Sequence, residues 1–214
     1  IILRLLKKVL PRHTFGLKNK FLDDIMKIDI IKSEVKDLDI SHLKEMSRNQ
    51  NDWQRSGVSE YRLYAYLSTF FNKTTILDIG TRTGGSALAL SYNPQNSIRS
   101  YDIVEQGASS IKKENISWHI SNFMEDVDID WDNVSVIVID VGPHDGKQER
   151  IMMDWLKERG WKGILIHDDI GPDWPLIQNM WDEIDEEKYD VTDFAHFSGT
   201  GIVNFGNLHE VKIV

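Results

Sequence analysis

Three aspartates stand directly after two apolar segments, where their carboxylates could bind a cation or accept a proton. Asp140 follows the segment VSVIVI, and Asp168 and Asp169 follow GILIH. Both segments are rich in aliphatic residues and have the length of buried strands. Adjacent carboxylates repel one another, and burial of an unpaired charge is costly. The three side chains are therefore expected either to face water or to share a positive ion.

The spacing of these aspartates favours a shared cation. From Asp140 to Asp168 the chain has room for a loop, a helix and a return to a neighbouring parallel strand, and adjacent strands lie about 4.8 Å apart. Because the chain has no cysteine, the available ligands are oxygen and imidazole. We predict that Asp140, Asp168 and Asp169 bind a divalent cation, Mg²⁺ with Mn²⁺ or Ca²⁺ as alternatives. Aspartates at strand ends also cap helices or accept hydrogen bonds from turns, which leaves a structural role open.

Two histidines lie close to these aspartates in the sequence. His144 follows Asp140 by four residues, in a loop at the same edge of the expected sheet. Because imidazole titrates near neutrality, His144 is the candidate general base, and Lys147 is the second choice. His167 should point away from Asp168 along the strand, which indicates a structural role.

Two further residues are candidates for binding an acceptor molecule. His196 lies in FAHFSGTGIVNF, where we expect it to end a strand beside a Ser-Gly-Thr-Gly turn. Trp174 could stack on a sugar ring. A glycine-rich hairpin and a core tryptophan are the alternative interpretations of these two residues.

A glycine-rich turn follows the first strand of the central region, in ILDIGTRTGGS. Gly80, Gly84 and Gly85 allow a tight turn and the close approach of a ligand to the backbone, and the turn leads into a helix with free N–H groups. The spacing G-x-x-x-G-G differs from the G-x-G-x-x-G of dinucleotide enzymes. Asp102 ends the next strand, where a carboxylate can accept hydrogen bonds from a ribose diol. Together these features predict a nucleoside-binding site.

The elements that carry these residues alternate between strands and helices. Apolar runs predict strands over 74–80, 97–104, 116–121, 134–140 and 163–168, with two closing strands in YDVTDFAHF and GTGIVNFG. Helical spacing predicts helices over 59–71 with Ser59 as the N-cap, 86–91, 107–114, 146–159 and 173–184. This pattern predicts an α/β fold: a doubly wound, mostly parallel seven-stranded sheet with helices on both faces and an antiparallel C-terminal hairpin.

Length and charge limit the organisation and the partners. The 214 residues suit one core domain, which we place at 56–214 after an N-terminal helical segment over 1–55. The net charge of −9 argues against nucleic acid as the main partner. Residues 1–20 carry six basic residues and no acidic one, so this segment could contact a membrane surface or a partner subunit, including a second copy, or pack on its own domain. With no transmembrane run or secretory signal evident, we expect a cytoplasmic protein.

The motifs resemble those of class I S-adenosylmethionine-dependent methyltransferases over residues 56–206. ILDIGTRTGGS is similar to the first motif of that family and SYDIVE to the second. The resemblance implies that the methionine end of S-adenosylmethionine lies against the turn and that Asp102 binds its ribose. It also implies that SNF, residues 121–123, flanks the adenine. The implied cofactor-binding residues are Asp78, Gly80, Thr81, Gly84, Ser86, Asp102, Asn122 and Phe123.

A metal-dependent subset of that family, similar to catechol and sugar O-methyltransferases, has aspartates after strands four and five. VIVIDVGPHDG and GILIHDDIG resemble those segments, although related sugar enzymes have a histidine three residues after the first aspartate and His144 comes one residue later. The resemblance implies divalent-metal-assisted O-methylation of a small hydroxylated acceptor such as a sugar or glycan precursor.

Three other functions remain as alternatives at this point. One is a metal-independent O- or N-methyltransferase with His144 as the base, and another is a non-catalytic nucleoside-binding subunit. A nicotinamide-dependent reductase is disfavoured by the glycine spacing and by the lack of a Tyr-x-x-x-Lys pair.

Overall fold

A computed structural model describes residues 25–54 and 56–214, so the basic segment 1–20 lies outside the described residues. The strands are β1 (Lys27–Ile30), β2 (Thr75–Ile79), β3 (Ser97–Asp102), β4 (Ile116–Ile120), β5 (Val134–Ile139), β6 (Gly163–Asp168), β7 (Lys188–Asp190), β8 (Thr200–Phe205) and β9 (Glu210–Ile213). The helices are α1 (Lys32–Asp37), α2 (Ser41–Met46), α3 (Ser56–Ser68), α4 (Gly85–Leu90), α5 (Lys147–Arg159) and α6 (Pro175–Asp182). Within these described ranges, no helix is both long enough and apolar enough to cross a membrane.

Seven of the strands form one sheet in the order β4-β3-β2-β5-β6-β8-β7. β2 through β6 pair in parallel, while β8 pairs antiparallel with both β6 and β7. This confirms the predicted fold class, including the antiparallel C-terminal hairpin. β2 lies between β3 and β5, which is the point where the strand order reverses and where open α/β sheets bind ligands.

Alternating side chains of each strand pack on opposite faces of this sheet. On one face, Ile76, Val138 and Ile166 belong to a core with α3 and α4, and on the other, Leu77 and Leu165 belong to a core with α5 and α6. Burial on both faces explains why β5 and β6 read as continuous apolar runs. Because β5 and β6 are neighbours, the residues that follow them lie at the same edge of the sheet.

The N-terminal segment, predicted as helical, contains a strand as well as helices. β1 pairs in parallel with β9 as a separate two-stranded sheet, and Ile28 and Ile30 are fully buried in the same core as α3 and α4. The alternation in KIDI fits a half-buried strand. The proposed division of the chain at residue 55 stays a prediction, and the described residues before it share the core of those after it.

Three element boundaries were predicted wrongly. α3 begins at Ser56, so Ser59 is not its N-cap. The expected helix over 107–114 is a single 3₁₀ turn at 108–110, because the chain becomes extended at Ile111, which packs in the core. A 3₁₀ turn at 192–194 follows β7, so His196 lies in a loop before β8 and does not end a strand.

Candidate active site

A cavity of about 1140 Å³ opens at the carboxyl ends of β2, β3, β5 and β6. Ligand pockets commonly measure about 300–1,000 Å³, so this one has room for a nucleoside and an acceptor together. The predicted site residues that line it are Gly80, Asp102, Asn122, Phe123, Asp140, His144, Asp168, Asp169, Trp174 and His196.

Gly80 shapes the floor of the cavity between β2 and β5. Its φ of +107° is in the left-handed region, and a Cβ at this position would overlap the carbonyl oxygen of Asp140. The backbone N–H groups of Gly80 and Thr81 donate to the carbonyl of Tyr101, at 2.9 and 3.2 Å. Glycine is therefore required here so that the ends of β2 and β5 can approach each other.

Four residues expected to contact the cofactor do not line the cavity: Asp78, Thr81, Gly84 and Ser86. Asp78 is 1% exposed and accepts a hydrogen bond of 2.5 Å from Ser100, whose hydroxyl also pairs with Thr81 at 2.5 Å. Burial raises the pKa of Asp78 to about 6, against the opposing hydrogen bonds from Ser100 and Ser86. Asp78, Thr81 and Ser100 therefore form a buried hydrogen-bonded group that joins β2, the glycine turn and β3.

The other half of the predicted nucleoside site lies after β3 and β4. The carboxylate of Asp102 accepts backbone hydrogen bonds from Arg82 at 2.8 Å and from Val104 at 3.0 Å, while it also lines the cavity. Asn122 accepts a hydrogen bond from the backbone N–H of Met124 at 3.1 Å. Phe123 is 1% exposed and supplies an apolar wall. The arrangement leaves Asp102 fixed, with lone pairs available to a diol.

The three predicted aspartates line the same cavity at the carboxyl ends of β5 and β6. Asp168 and Asp169 are buried, while Asp140 is open to the cavity. Desolvation, followed by the charges of Asp168 and Asp169, raises the pKa of Asp140 to about 8. Burial and the charge of Asp168 likewise raise the pKa of Asp169. A positive ion between these carboxylates would relieve their repulsion.

His144 and Trp174 line the cavity beside these three aspartates. Nδ1 of His144 lies 3.0 Å from Oδ2 of Asp169, and both residues have a positive φ, at 58° and 62°. The rings of His144 and Trp174 are 4.7 Å apart. Lys147 is exposed, is instead paired with Asp145 at 2.8 Å and does not line the cavity. Of the two residues predicted as candidate bases, His144 lines the cavity and Lys147 does not.

His196 approaches from the loop before β8. Its Nδ1 pairs with the hydroxyl of Ser198 and lies 3.5 Å from Oδ1 of Asp168. Although burial opposes it, the carboxylates of Asp168 and Asp169 raise the pKa of His196. The loop is tied to the segment after β6 by a hydrogen bond of 2.8 Å from the backbone N–H of Gly171 to the carbonyl of Ser198.

Glu60 of α3 is a site residue that the sequence reasoning missed. It is 7% exposed, lines the cavity and accepts a hydrogen bond of 2.5 Å from Tyr64. Leu63, Tyr64 and Leu67 are buried on the same helical face. Glu60 is the one carboxylate on this otherwise apolar face, at a position three, four and seven residues before Leu63, Tyr64 and Leu67. A carboxylate on the buried face of a helix is the sequence signal that could have indicated this residue.

The carboxylate cluster fits a divalent cation by its donor chemistry. Oδ1 of Asp168 is buried and has no hydrogen-bond partner among the residues that the structure describes. The surrounding donors are carboxylate oxygens and imidazole nitrogens, which bind hard and borderline divalent ions. Two groups of three have ligating atoms within 4.8 Å of one another: Asp140 with His144 and Asp169, and Glu60 with Asp168 and His196.

The fold resembles that of known methyltransferases. The S-adenosylhomocysteine-bound methyltransferase PaMTH1 of Podospora anserina is 14% identical, with a TM-score of 0.53 over 78% of this chain and 86% of its own. A protein of Corynebacterium glutamicum is 11% identical, with a TM-score of 0.57 over 81% and 93%. A Klebsiella pneumoniae protein provisionally assigned as an O-methyltransferase is 12% identical, with a TM-score of 0.50 over 81% and 89%. The chain matches no protein-family model and no curated protein, so these similarities show a shared fold.

Proposed function

We propose that the protein is an S-adenosylmethionine-dependent methyltransferase that uses a divalent cation to methylate a hydroxyl group of a small acceptor, such as a sugar or glycan precursor. The observation that carries the proposal is the cavity itself. Gly80 and Asp102 line it at the ends of β2 and β3, and Asp140, Asp168 and Asp169 line it at the ends of β5 and β6. A nucleoside cofactor and a cation-bound acceptor would therefore meet in one cavity.

The cofactor side is supported by fixed backbone and a fixed carboxylate. Asp102 is oriented by two backbone N–H groups, so binding a ribose diol requires little further ordering. Asn122 and Phe123 form the wall where the adenine would lie. The likeness of the fold to that of S-adenosylhomocysteine-bound PaMTH1 supports S-adenosylmethionine as the cofactor.

The acceptor side is supported by the aspartates, His144 and Trp174. A bound divalent cation would hold acceptor oxygens and lower the pKa of the reacting hydroxyl. The Asp169–His144 pair at 3.0 Å would leave Nε2 of His144 to take the proton of the acceptor hydroxyl, while the cofactor, when bound, would supply the methyl group. Trp174 offers an indole face near His144 for stacking on a sugar ring.

Binding of S-adenosylhomocysteine to the full chain, measured by calorimetry, tests the cofactor assignment. Asp102→Ala should weaken binding by about tenfold or more, because it removes a charged hydrogen-bond acceptor. Glu114→Ala is the matched control, since Glu114 is an exposed acid that does not line the cavity. Equal affinity in wild type and Asp102→Ala would contradict the role of Asp102, and no binding by wild type would reject the function.

Transfer of a labelled methyl group to a panel of sugars and sugar conjugates tests the reaction. We expect activity with Mg²⁺ or Mn²⁺ and its loss in chelator, and Asp168→Asn should abolish the metal-dependent rate. Full activity in chelator would reject the cation-assisted mechanism.

A metal-independent methyltransferase is the second candidate, favoured by the His144–Asp169 pair. In that case His144→Gln would remove activity while chelator would not. Cofactor binding without transfer to any acceptor would instead support a non-catalytic nucleoside-binding subunit.

A further inference from the structure

A second group of potential ligands lies beside the aspartates that the sequence singles out. Glu60 from α3, Asp168 at the end of β6 and His196 from the loop before β8 have ligating atoms within 4.8 Å of one another. All three line the cavity. Glu60 and Asp168 are buried and His196 is half-buried, so this group lies deeper than the group formed by Asp140, His144 and Asp169, in which Asp140 is exposed.

An unpaired buried oxygen points to a ligand at this second group. Asp168 is 8% exposed, and its Oδ1 has no hydrogen-bond partner within the described part of the chain. Nδ1 of His196 lies 3.5 Å away, which is too long for a strong hydrogen bond. A buried carboxylate oxygen without a partner is costly, and a bound cation would satisfy it.

Glu60 contributes a second buried carboxyl group to this ligand set. Its hydrogen bond from Tyr64 occupies Oε1, and Tyr64 is itself buried. Among the described residues that line the cavity, the histidines are His144 and His196. His144 is already paired with Asp169.

We propose that Glu60, Asp168 and His196 together bind a divalent transition-metal ion of the Mn²⁺ type. Two carboxylates with one imidazole form a mixed oxygen and nitrogen set, which suits Mn²⁺, Fe²⁺ or Zn²⁺ better than Mg²⁺ or Ca²⁺. The inference deepens the proposed function and rests on it for the role of the ion in the reaction. With the ion held there, Asp169 and His144 remain paired and face the acceptor.

Titration of the full chain with Mn²⁺ alone, in the absence of cofactor and acceptor, tests the ligand set by calorimetry. Glu60→Gln should lower Mn²⁺ affinity by about tenfold or more, the scale of losses at metal sites, whereas Asp140→Asn should lower it much less. Glu149→Gln is the control for replacing a buried glutamate, since Glu149 belongs to neither group. Loss of affinity in Asp140→Asn with full affinity in Glu60→Gln would overturn the proposal.

Pulsed electron paramagnetic resonance of the Mn²⁺ complex provides an independent readout if a variant folds poorly. The wild-type spectrum should show coupling to an imidazole nitrogen that disappears in His196→Gln and persists in His144→Gln. The reverse pattern, or no nitrogen coupling in wild type, would overturn the proposal. S-adenosylhomocysteine affinity measured without metal separates the two ideas, because retained cofactor binding with a failed Mn²⁺ result rejects this site alone.

Discussion

His167 is the fully buried residue of β6 that immediately precedes the carboxylate pair. Both of its ring nitrogens lack a hydrogen-bond partner among the described residues, and burial lowers its pKa to about 4. The structural role expected from its direction in the strand agrees with this burial. An unsatisfied imidazole in an apolar core destabilises the folded state, because its polar nitrogens lose their contacts with water.

His167→Leu should therefore raise the free energy of unfolding at pH 7 by about 1 kcal/mol. The difference in free energy of unfolding between the variant and wild type should grow as the pH falls from 6.5 towards 4. In this interval the histidine binds a proton in the unfolded chain and does not bind one in the folded protein. Denaturant unfolding at several pH values measures this. His42→Leu, at an exposed histidine of α2, is the control. A destabilised His167→Leu that also loses cofactor binding would show that His167 serves the site.

At the residue scale, the sequence could place some site residues and not others. Asp140, Asp168 and Asp169 were located because a position after an apolar strand is a local property of the chain. Glu60 depends on how α3 packs over the end of β6, which is a tertiary property. His144 pairs with Asp169, and His196 lies beside Asp168. These pairings likewise depend on the courses of two loops, which the sequence does not specify.

The glycine turn after β2 is the element whose geometry the site depends on most directly. Gly80→Ala should lower the free energy of unfolding by at least about 2 kcal/mol, because the methyl group would overlap the Asp140 carbonyl at a positive φ. Gly142→Ala is the matched control, since an added Cβ there meets no described atom within 4 Å. Thermal unfolding compares the two variants, and an equal effect of both would contradict the close approach of β2 and β5.

At the scale of elements, sequence patterns located β5 and β6 because each is a continuous apolar run. β6 was predicted with its observed bounds, Gly163–Asp168. β1 was missed because its partner β9 lies at the other end of the chain, and a four-residue strand is too short to be distinguished by periodicity alone. His196 was placed at a strand end because the 3₁₀ turn before it contains Thr192 and Phe194, residue types that favour strands.

For the whole molecule, the carboxylate cluster makes the stability of the metal-free protein depend on pH. Between its ordinary pKa of 3.8 and about 8, folded Asp140 keeps a proton that the unfolded chain has released, so rising pH favours unfolding. The raised pKa values of Glu60 and His196 act in the same direction. His167 opposes them only below pH 6.5. In chelator, the melting temperature should therefore fall as the pH rises from 6.5 to about 8.

A saturating divalent cation should remove or reverse this fall, because the ion binds the ionised carboxylates and its affinity increases with pH. Differential scanning calorimetry with chelator and with Mn²⁺ or Mg²⁺ measures both curves. Asp140→Asn should flatten the curve in chelator, since it removes one of the groups that release a proton in this interval. Asp145→Asn is the control, because hydrogen bonds from Lys147 lower the pKa of Asp145 and it releases no proton in this interval. A melting temperature that rises with pH in chelator would show that the cluster is already neutralised by the protein itself, and the argument for a cation at the ends of β5 and β6 would lose its electrostatic basis.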